Sequence, residues 1–461
     1  MKKPLFPPPP GRKTQLKLLE LPSIIENDTN LQEFLTRANA EYWPWEVFKY
    51  KKQAKQTASS ETLWHYLKIF TRQKTKNFPQ LKDRQGRSFG YVSTDKIQEC
   101  LHILDRALAS NILAQKSLTP DSRLKKEQAE WQDKKIINSL IEEAITSAQI
   151  EGAATSRRRA TELIKSGKRP RSKDERMILN NYQTMKKIKT DFVAEPLSLD
   201  LIKEIQTCLT KDTLANEADI GSFRRDLHAR DIVQVYYNNA VLFTPPPAAE
   251  IQERLTQLCE FINNDQEFVH PLLKGIILHF YLAYVHPFYD GNGRTARGLF
   301  YWYALKNGLE LFEFISISEY IKKRTPGYLR AFLYTENDEN DLTYFIMYHL
   351  NIIMLAIEDI QKYIQQKMTG YFRLKEKLNH LDGLNVRQLD LLNHALKHSE
   401  QRYTIHSHLT SNNLSWATAR RDLLWLAQNG FLESRRLGKE LYFFVPQDLA
   451  KRIEKGSSKT R

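Results

Sequence analysis

Cysteine is scarce in this 461-residue chain: there are three, Cys100, Cys208 and Cys259, and they form no CxxC pair. Disulfide-dependent secreted domains carry many cysteines in even number, so the sequence predicts a reducing compartment. No apolar run approaches the roughly 18 residues that a membrane-spanning helix needs. The basic N-terminus leads into prolines 7–10 rather than an apolar segment, so no secretion signal is expected. We therefore expect a cytoplasmic protein that does not act in a membrane.

Acidic residues are fewer than basic ones: 54 Asp and Glu stand against 69 Lys and Arg, which gives a net charge of +15. Such an excess favours acidic partners, namely nucleotides, nucleic acid or an acidic protein surface, although it also promotes solubility alone. Charges of both signs are mixed along the chain, which argues against wholesale disorder. Internal repeats are absent as well.

The length exceeds one compact domain and suggests roughly three. We predict a mainly α protein with a helical N-terminal extension at 1–115, a helical domain at 130–370 and a third domain at 380–450. In the extension, 83–87 is predicted to be a turn and 88–93 a short extended piece. Two β-rich stretches within 232–243 flank Asn238-Asn239 and predict a hairpin. The third domain has the order helix, helix, turn, helix, hairpin, which is typical of a winged helix.

Two predicted helices meet at the segment HPFYDGNGRTAR, residues 286–297. The first, 270–285, is a long apolar helix and should end at His286, because Pro287 cannot continue it comfortably. The second is expected from Arg294 to Lys306, where Asn307-Gly308 provides a C-terminal cap.

The residue types in this segment suit reactions at phosphate. Gly291, Asn292 and Gly293 offer backbone N–H groups at a helix N-terminus, which forms an anion site. Arg294 and Arg297 lie on one face of the first turn and can clamp phosphate oxygens. Asp290 is a suitable oxygen ligand for Mg²⁺ carried by a triphosphate. His286 titrates near neutral pH and can take a proton from an attacking hydroxyl.

A plainer interpretation is a loop that caps two core helices, with a solvated Asp290 and two surface arginines. The combination of all twelve residues favours the catalytic interpretation. It is not a Walker A loop, because no Gly-Lys-Ser/Thr follows.

Residues 286–297 match every fixed position of HxFx(D/E)GNGRxxR, so the chain resembles the Fic family, over roughly 130–370. The resemblance implies a Fic helical core with a small β-hairpin flap, and AMP transfer from ATP to Ser, Thr or Tyr of a target protein. It implies that His286 is the base, Asp290 the Mg²⁺ ligand, and 291–293 the phosphate-binding residues. Arg294 and Arg297 would contact the outer phosphates. A kinase-like branch has lysine in place of the second glycine, so Gly293 favours AMP transfer. Other members transfer UMP or phosphocholine.

Three further elements resemble parts of that family. The segment SAQIEG, which contains Ser147, Glu151 and Gly152, resembles the inhibitory motif (S/T)xxxE(G/N). In this comparison Glu151 pairs with Arg297 and blocks the γ-phosphate position, although a helix-end Glu with a glycine cap is the plainer interpretation. Residues 221–225 and the 232–243 hairpin resemble the flap that aligns the target. Its inner part consists of Val241, Leu242, Phe243 and Thr244.

Tyr328 could stack on adenine, although an aromatic residue at helical spacing is more often part of the core. His279 is interpreted as a packed core histidine, because no third metal ligand candidate lies nearby.

The C-terminal part resembles winged helices of transcriptional regulators, in which Arg420 and Arg421 would lie on the recognition helix and Arg435, Arg436 and Lys439 on the wing. Such domains also dock proteins or dimerise, so DNA contact, protein contact and a homodimer stay open. Two functions are therefore kept: an auto-inhibited protein adenylyltransferase, and a DNA-binding regulator whose Fic-like core senses nucleotide.

Overall fold

The computed structural model describes residues 9, 21–51, 58–109, 122–226, 234–237, 240–264, 266–377, 384–437 and 440–456. Within these ranges the chain is mainly helical, as predicted, with small antiparallel sheets. The helices are α1 (Leu21–Glu26), α2 (Thr29–Ala40), α3 (Trp45–Phe48), α4 (Ser60–Gln73), α5 (Asp95–Ala109), α6 (Ser122–Ile150), α7 (Arg157–Ser166), α8 (Lys173–Lys187), α9 (Leu199–Thr210), α10 (Ile251–Asn263), α11 (Pro271–Val285), α12 (Asn292–Lys306), α13 (Ile317–Lys323), α14 (Thr325–Asn337), α15 (Thr343–Lys377), α16 (Val386–Lys397), α17 (Ile405–Asn412), α18 (Trp416–Gln428) and α19 (Leu449–Gly456).

The strands form three separate sheets in the described residues. They are β1 (Thr75–Lys82), β2 (Ser88–Val92), β3 (Val235–Tyr237), β4 (Ala240–Phe243), β5 (Arg402–Thr404), β6 (Glu433–Leu437) and β7 (Glu440–Phe444). β1 pairs with β2, β3 pairs with β4, and the third sheet has the order β5-β7-β6, all antiparallel.

Contacts group the chain into two compact units, and the three-domain division stays a prediction. The first unit is Met1–Arg106 with Lys186–Leu309 and Tyr320–Met354. The second is Ala107–Met185 with Glu310–Glu319 and Leu355–Arg461. No helix in the described ranges is both long and apolar enough to cross a membrane.

The N-terminal extension contains a strand that the sequence prediction missed. β1 was expected to be helical, but Pro79 removes a backbone donor there, and the pairing with β2 shifts register between Phe78 and Lys82. The predicted turn at 83–87 is present. The Asp83 carboxylate accepts the N–H groups of Gln85 and Arg87 at 2.9 and 2.8 Å and so closes the hairpin.

In the first unit, α11 and α12 form the centre of the core. α11 is mostly apolar, with Lys274 and His279 as its charged or polar exceptions, and every residue of it except Pro271 and Ala283 is buried. The two helices approach closely at Gly275, where an added Cβ would lie 3.3 Å from the Tyr303 ring. Because α11 ends and α12 begins around residues 286–291, this packing holds both ends of the connecting loop.

In the second unit, the C-terminal half of α6 packs with α7 and α8 around buried residues that include Ile145 and Ile178. Lys134 of α6 forms an ion pair with Asp390 of α16. The Glu143 carboxylate accepts the Ser316 hydroxyl and the Ser318 N–H, at 2.9 and 3.0 Å, and so caps the start of α13. α6 is thus tied along its length to other parts of its own unit.

The C-terminal region has the predicted helices and hairpin, and a short additional strand, β5. Its core is formed by residues such as Leu392, Leu423 and Phe443. Its identification as a winged helix stays a prediction, and Lys439, expected on the wing, lies outside the described residues.

Candidate active site

His286 follows the last residue of α11 and has a left-handed backbone, with φ 51° and ψ 58°. Its N–H donates to the Leu282 carbonyl at 2.9 Å, which ends the helix. Its Nδ1 lies 3.2 Å from the Ala283 carbonyl oxygen. A carbonyl can only accept, so this contact assigns the hydrogen of the neutral ring to Nδ1 and the lone pair to Nε2. The ring is therefore in the tautomer that a general base at Nε2 requires.

The Asn292 side chain closes the loop between the two helices. Its Oδ1 accepts the Phe288 N–H at 2.9 Å, and its Nδ2 donates to the Phe288 carbonyl at 2.7 Å. Asn292 is 3% exposed and Phe288 is fully buried. The sequence prediction used only the backbone N–H of Asn292, so this structural role was missed.

Gly291 caps α12 in a left-handed conformation, with φ 86°. An added Cβ would lie 2.8 Å from Thr210 Cγ2, so both the backbone and the packing require glycine. Its N–H donates to Asp290 Oδ1 at 2.5 Å. The helix starts at Asn292 rather than at the predicted Arg294. The first-turn N–H groups that have no intrahelical partner are those of residues 292–294, and phosphate binding by residues 291–293 stays a prediction.

The structure gives Arg294 contacts different from the predicted phosphate clamp. Its side chain is completely buried and donates from Nη1 to the Leu209 carbonyl at 3.1 Å. Nη2 lies 3.1 Å from Asp290 Oδ1. This guanidinium is directed into the core and contacts the Asp290 carboxylate, and its contact with a phosphate stays a prediction.

Arg297 lies one turn further along α12 and is 3% exposed. Burial holds the pKa of His279 of α11 well below its ordinary value, and the nearby charges of His349 and Arg297 lower this pKa further. His279 is 1% exposed, and its Nε2 lies 2.9 Å from the Tyr328 hydroxyl. This agrees with the interpretation of His279 as a core histidine.

Tyr328 of α14 is 7% exposed, and its ring packs 5.1 Å from that of Phe332. The packing favours the core role that the sequence left as the alternative. Contact between Tyr328 and adenine stays a prediction.

Two buried polar residues support the loop: Gln206, which the sequence prediction did not name, and Arg224, which it included only within the flap segment 221–225. Gln206 of α9 donates from Nε2 to the Asp290 carbonyl at 3.1 Å, and its Oε1 accepts the Gly221 N–H at 2.7 Å. Arg224 donates from Nε to the His286 carbonyl at 2.8 Å. A signal for Gln206 was present, because it is a polar residue within the apolar stripe of an amphipathic helix.

The predicted hairpin at the flap is present as β3 and β4. Val241 is 47% exposed, and the Phe243 ring packs 5.2 Å from that of Tyr284. Thr244 Oγ1 accepts from Gln234 Nε2 at 3.4 Å. The side chain of Leu242, residues 232–233 and the Asn238-Asn239 turn lie outside the described residues.

Glu151 is exposed and stands one residue beyond the end of α6. Its N–H donates to the Ala148 carbonyl at 3.1 Å, and Gly152 follows with φ 97°. Ser147 lies within α6 and is 5% exposed. Ser147 therefore belongs to the helix, whereas Glu151 belongs to the turn that a left-handed glycine closes.

Asp290 supplies one carboxylate, which suits a cation whose other ligands come from a bound nucleotide and water. The Asp290 side chain is 42% exposed. Among the described residues no group of three or more His, Cys, Asp or Glu could hold a metal ion. One carboxylate beside a helix N-terminus fits Mg²⁺ bound to nucleotide phosphates better than an all-protein metal cage.

Comparison with known proteins agrees with this geometry. The Fic/DOC family model matches residues 196–304. The protein adenylyltransferase Fic of Nematostella vectensis is 28% identical over 153 residues, which are 30% of this chain and 36% of that protein. The protein adenylyltransferase fic-1 of Caenorhabditis elegans is 36% identical over 76 residues, 16% of this chain and 14% of that protein. The matched part of this chain thus covers at most 36% of the length of these two relatives.

A solved structure of a Fic family protein from Desulfovibrio desulfuricans G20 is also similar. It has 19% identity and a TM-score of 0.49, and the match covers 77% of this chain and 98% of that one. The family match at 196–304 contains the complete 286–297 loop and the Gln206 and Arg224 side chains that support it. Over residues 196–304, which contain these side chains, the chain is similar to the Fic/DOC family.

Proposed function

We propose that this protein transfers AMP from ATP to a Ser, Thr or Tyr hydroxyl of a target protein. The observation that carries the proposal is the position of His286: its Nδ1–H is held by a backbone carbonyl, beside the N-terminus of α12. A base next to an anion site suits attack of a hydroxyl on phosphorus. The names of the relatives from N. vectensis and C. elegans support AMP as the transferred group.

The reaction balances as follows. His286 Nε2 takes the proton of the target hydroxyl, and the oxygen attacks the α-phosphorus of ATP. The bond from that phosphorus to the bridging oxygen breaks, diphosphate leaves, and AMP stays on the protein as a phosphodiester. The N–H groups of 292–294 stabilise the phosphate charge. Mg²⁺ held by Asp290 would neutralise the phosphate oxygens.

The two arginines of the loop take different parts in this proposal. Arg294 orients Asp290 from the buried side, through the 3.1 Å contact with Oδ1. Arg297 would bind the outer phosphates, since its guanidinium can pair with two oxygens of one phosphate.

Inhibition by Glu151 is a second part of the proposal and rests on the resemblance of SAQIEG to the inhibitory motif of the family. A carboxylate that pairs with Arg297 would compete with the γ-phosphate. Wild-type protein should then transfer AMP slowly, and a variant without this carboxylate should transfer it faster.

The test uses ATP labelled at the α-phosphate, Mg²⁺ and a cell lysate, with mass spectrometry of the labelled proteins. We expect weak transfer by wild type, stronger transfer by Glu151→Gly, and none by Glu151→Gly combined with His286→Ala. Glu151→Gln separates loss of charge from a backbone effect of glycine. Absence of label on any protein, with every variant, would refute the proposal.

DNA binding by the C-terminal region is the second candidate function. Arg420 and Arg421 are exposed on α18, next to Trp416, which is 58% exposed. A cationic and aromatic helix face suits phosphate contacts, although it also suits a protein partner. A regulator that only senses nucleotide does not need a base, so DNA binding and regulation that persist in His286→Ala would favour this candidate over the enzyme.

A further inference from the structure

Arg224 is a buried arginine between α9 and the flap, and its contacts connect two parts of the proposed catalytic apparatus. It is 3% exposed. Toward the loop, its Nε donates to the His286 carbonyl at 2.8 Å, and its backbone N–H donates to the Pro287 carbonyl at 2.8 Å. Arg224 therefore holds the backbone of the proposed base on two consecutive residues.

Apart from a 3.4 Å hydrogen bond from Nη2 to the Val285 carbonyl, its other contacts are with residues on both sides of the flap hairpin. Nη1 donates to both carboxylate oxygens of Asp226, at 2.7 and 2.9 Å, and Nη2 donates to the Pro246 carbonyl at 2.5 Å. Asp226 Oδ2 also accepts the Ala248 N–H at 2.7 Å. The chain entering the flap and the chain leaving it are thus fastened to each other and to Arg224.

A guanidinium is planar, and its donors point in fixed directions. One guanidinium that binds the His286 carbonyl, Asp226 and Pro246 therefore sets the distance between the base and the flap. Proton transfer needs the hydroxyl within about 2.6–3.2 Å of the base, and a displacement of about 1 Å can cost about 100-fold in rate.

We propose that Arg224 is a positioning residue that aligns the flap, and with it the target hydroxyl, with His286 Nε2. The proposal rests on the proposed AMP transfer and adds the residue that aligns the target hydroxyl with the base. Water can replace the target hydroxyl as the nucleophile and hydrolyse ATP to AMP and diphosphate, and it needs no alignment by the flap. Arg224 should therefore matter more for AMP transfer to protein than for this hydrolysis of ATP.

The test measures both rates in a Glu151→Gly background. Arg224→Lys keeps the charge but cannot bind three acceptors in one plane. Asp226→Ala removes a flap contact without touching residues 286–290. We expect kcat for protein transfer to fall by about 100-fold for Arg224→Lys, and the ratio of protein transfer to hydrolysis to fall for both variants. The KM for ATP and the pH profile of kcat should change little, because the base and the nucleotide site remain.

Arg225 provides the matched control, because it is the adjacent arginine and its side chain is exposed. Its hydrogen bonds to the Tyr289 hydroxyl use only its backbone N–H and carbonyl. Arg225→Ala should lower the ratio of the two rates less than Arg224→Lys does, because its hydrogen bonds to the loop use only the backbone. Arg224→Ala, checked for folding by its melting temperature, should regain transfer when guanidinium ion is added.

An unchanged ratio in both Arg224→Lys and Asp226→Ala would overturn this inference while leaving the proposed function in place. If the Glu151→Gly protein itself transfers no label, the proposed function fails, and the inference fails with it.

Discussion

At Gly291 both the backbone conformation and the neighbouring side chain require glycine. Its φ of 86° lies in the left-handed region, and an added Cβ would lie 2.8 Å from Thr210 Cγ2. Gly308, after α12, has a similar φ of 73°, but an added Cβ would meet nothing within 4 Å. The two glycines therefore separate the cost of the backbone conformation from the cost of crowding.

Gly291→Ala should lower the free energy of unfolding by about 2–4 kcal/mol, from about 1–2 for the backbone and the rest for crowding. Gly308→Ala should cost only the backbone part, about 1–2 kcal/mol. Thr210→Ser removes Cγ2 and should recover part of the loss in the double variant. Denaturant unfolding of wild type, the three single variants and the double variant measures these differences, and equal losses for the two glycines would contradict the crowding argument.

At the level of elements, the sequence predicted the helices and the loop between α11 and α12, because apolar periodicity, Pro287 and Asn307-Gly308 carry local signals. It missed β1, where the pairing with β2 overrides the local pattern. The contacts of Arg224 and the core direction of Arg294 depend on residues far away in the chain. No spacing rule reports such contacts, so they could not be predicted.

The ion pair between Lys134 of α6 and Asp390 of α16 gives a prediction at this scale. The two side chains are 21% and 5% exposed. Removal of one partner leaves a poorly solvated charge, so Asp390→Ala should cost roughly 3 kcal/mol. Hydrogen exchange at the amides of both helices measures the change.

Glu433 supplies the control, because its ion pair with Arg435 is exposed, with side chains 42% and 65% accessible. Glu433→Ala should cost less than about 1 kcal/mol. Equal exchange rates in Asp390→Ala and wild type would show that the buried pair does not hold α6 in place.

At the level of the whole molecule, the net charge of +15 predicts weak binding to any polyanion, whether or not a specific DNA site exists. Specific and bulk effects have to be separated by the positions of the charges. Exposed arginines occur both on α18 and elsewhere, for example Arg37 on α2, whose side chain is 65% exposed.

If α18 contacts duplex DNA, Arg420→Ala and Arg421→Ala should each weaken binding and lower the slope of log affinity against log salt by about one. Arg37→Ala should change neither quantity. Fluorescence anisotropy with a labelled duplex over a salt series makes the comparison. An equal effect of all three substitutions would mean that bulk charge alone accounts for the binding.

The two hydrogen bonds that join the Asn292 side chain to the Phe288 backbone should slow deamidation of Asn292. Asparagine followed by glycine loses its amide when the glycine nitrogen attacks the side-chain carbonyl carbon, and this chain has three such pairs, at 292–293, 307–308 and 429–430. Asn307 and Asn429 are exposed. The Asn292 amide is buried and fixed at both ends by Phe288, inside the first turn of α12. During alkaline storage, peptide mass mapping should detect deamidation at the two exposed pairs well before it does at residue 292. The loop at 286–297 should therefore stay chemically intact after the exposed asparagines have reacted.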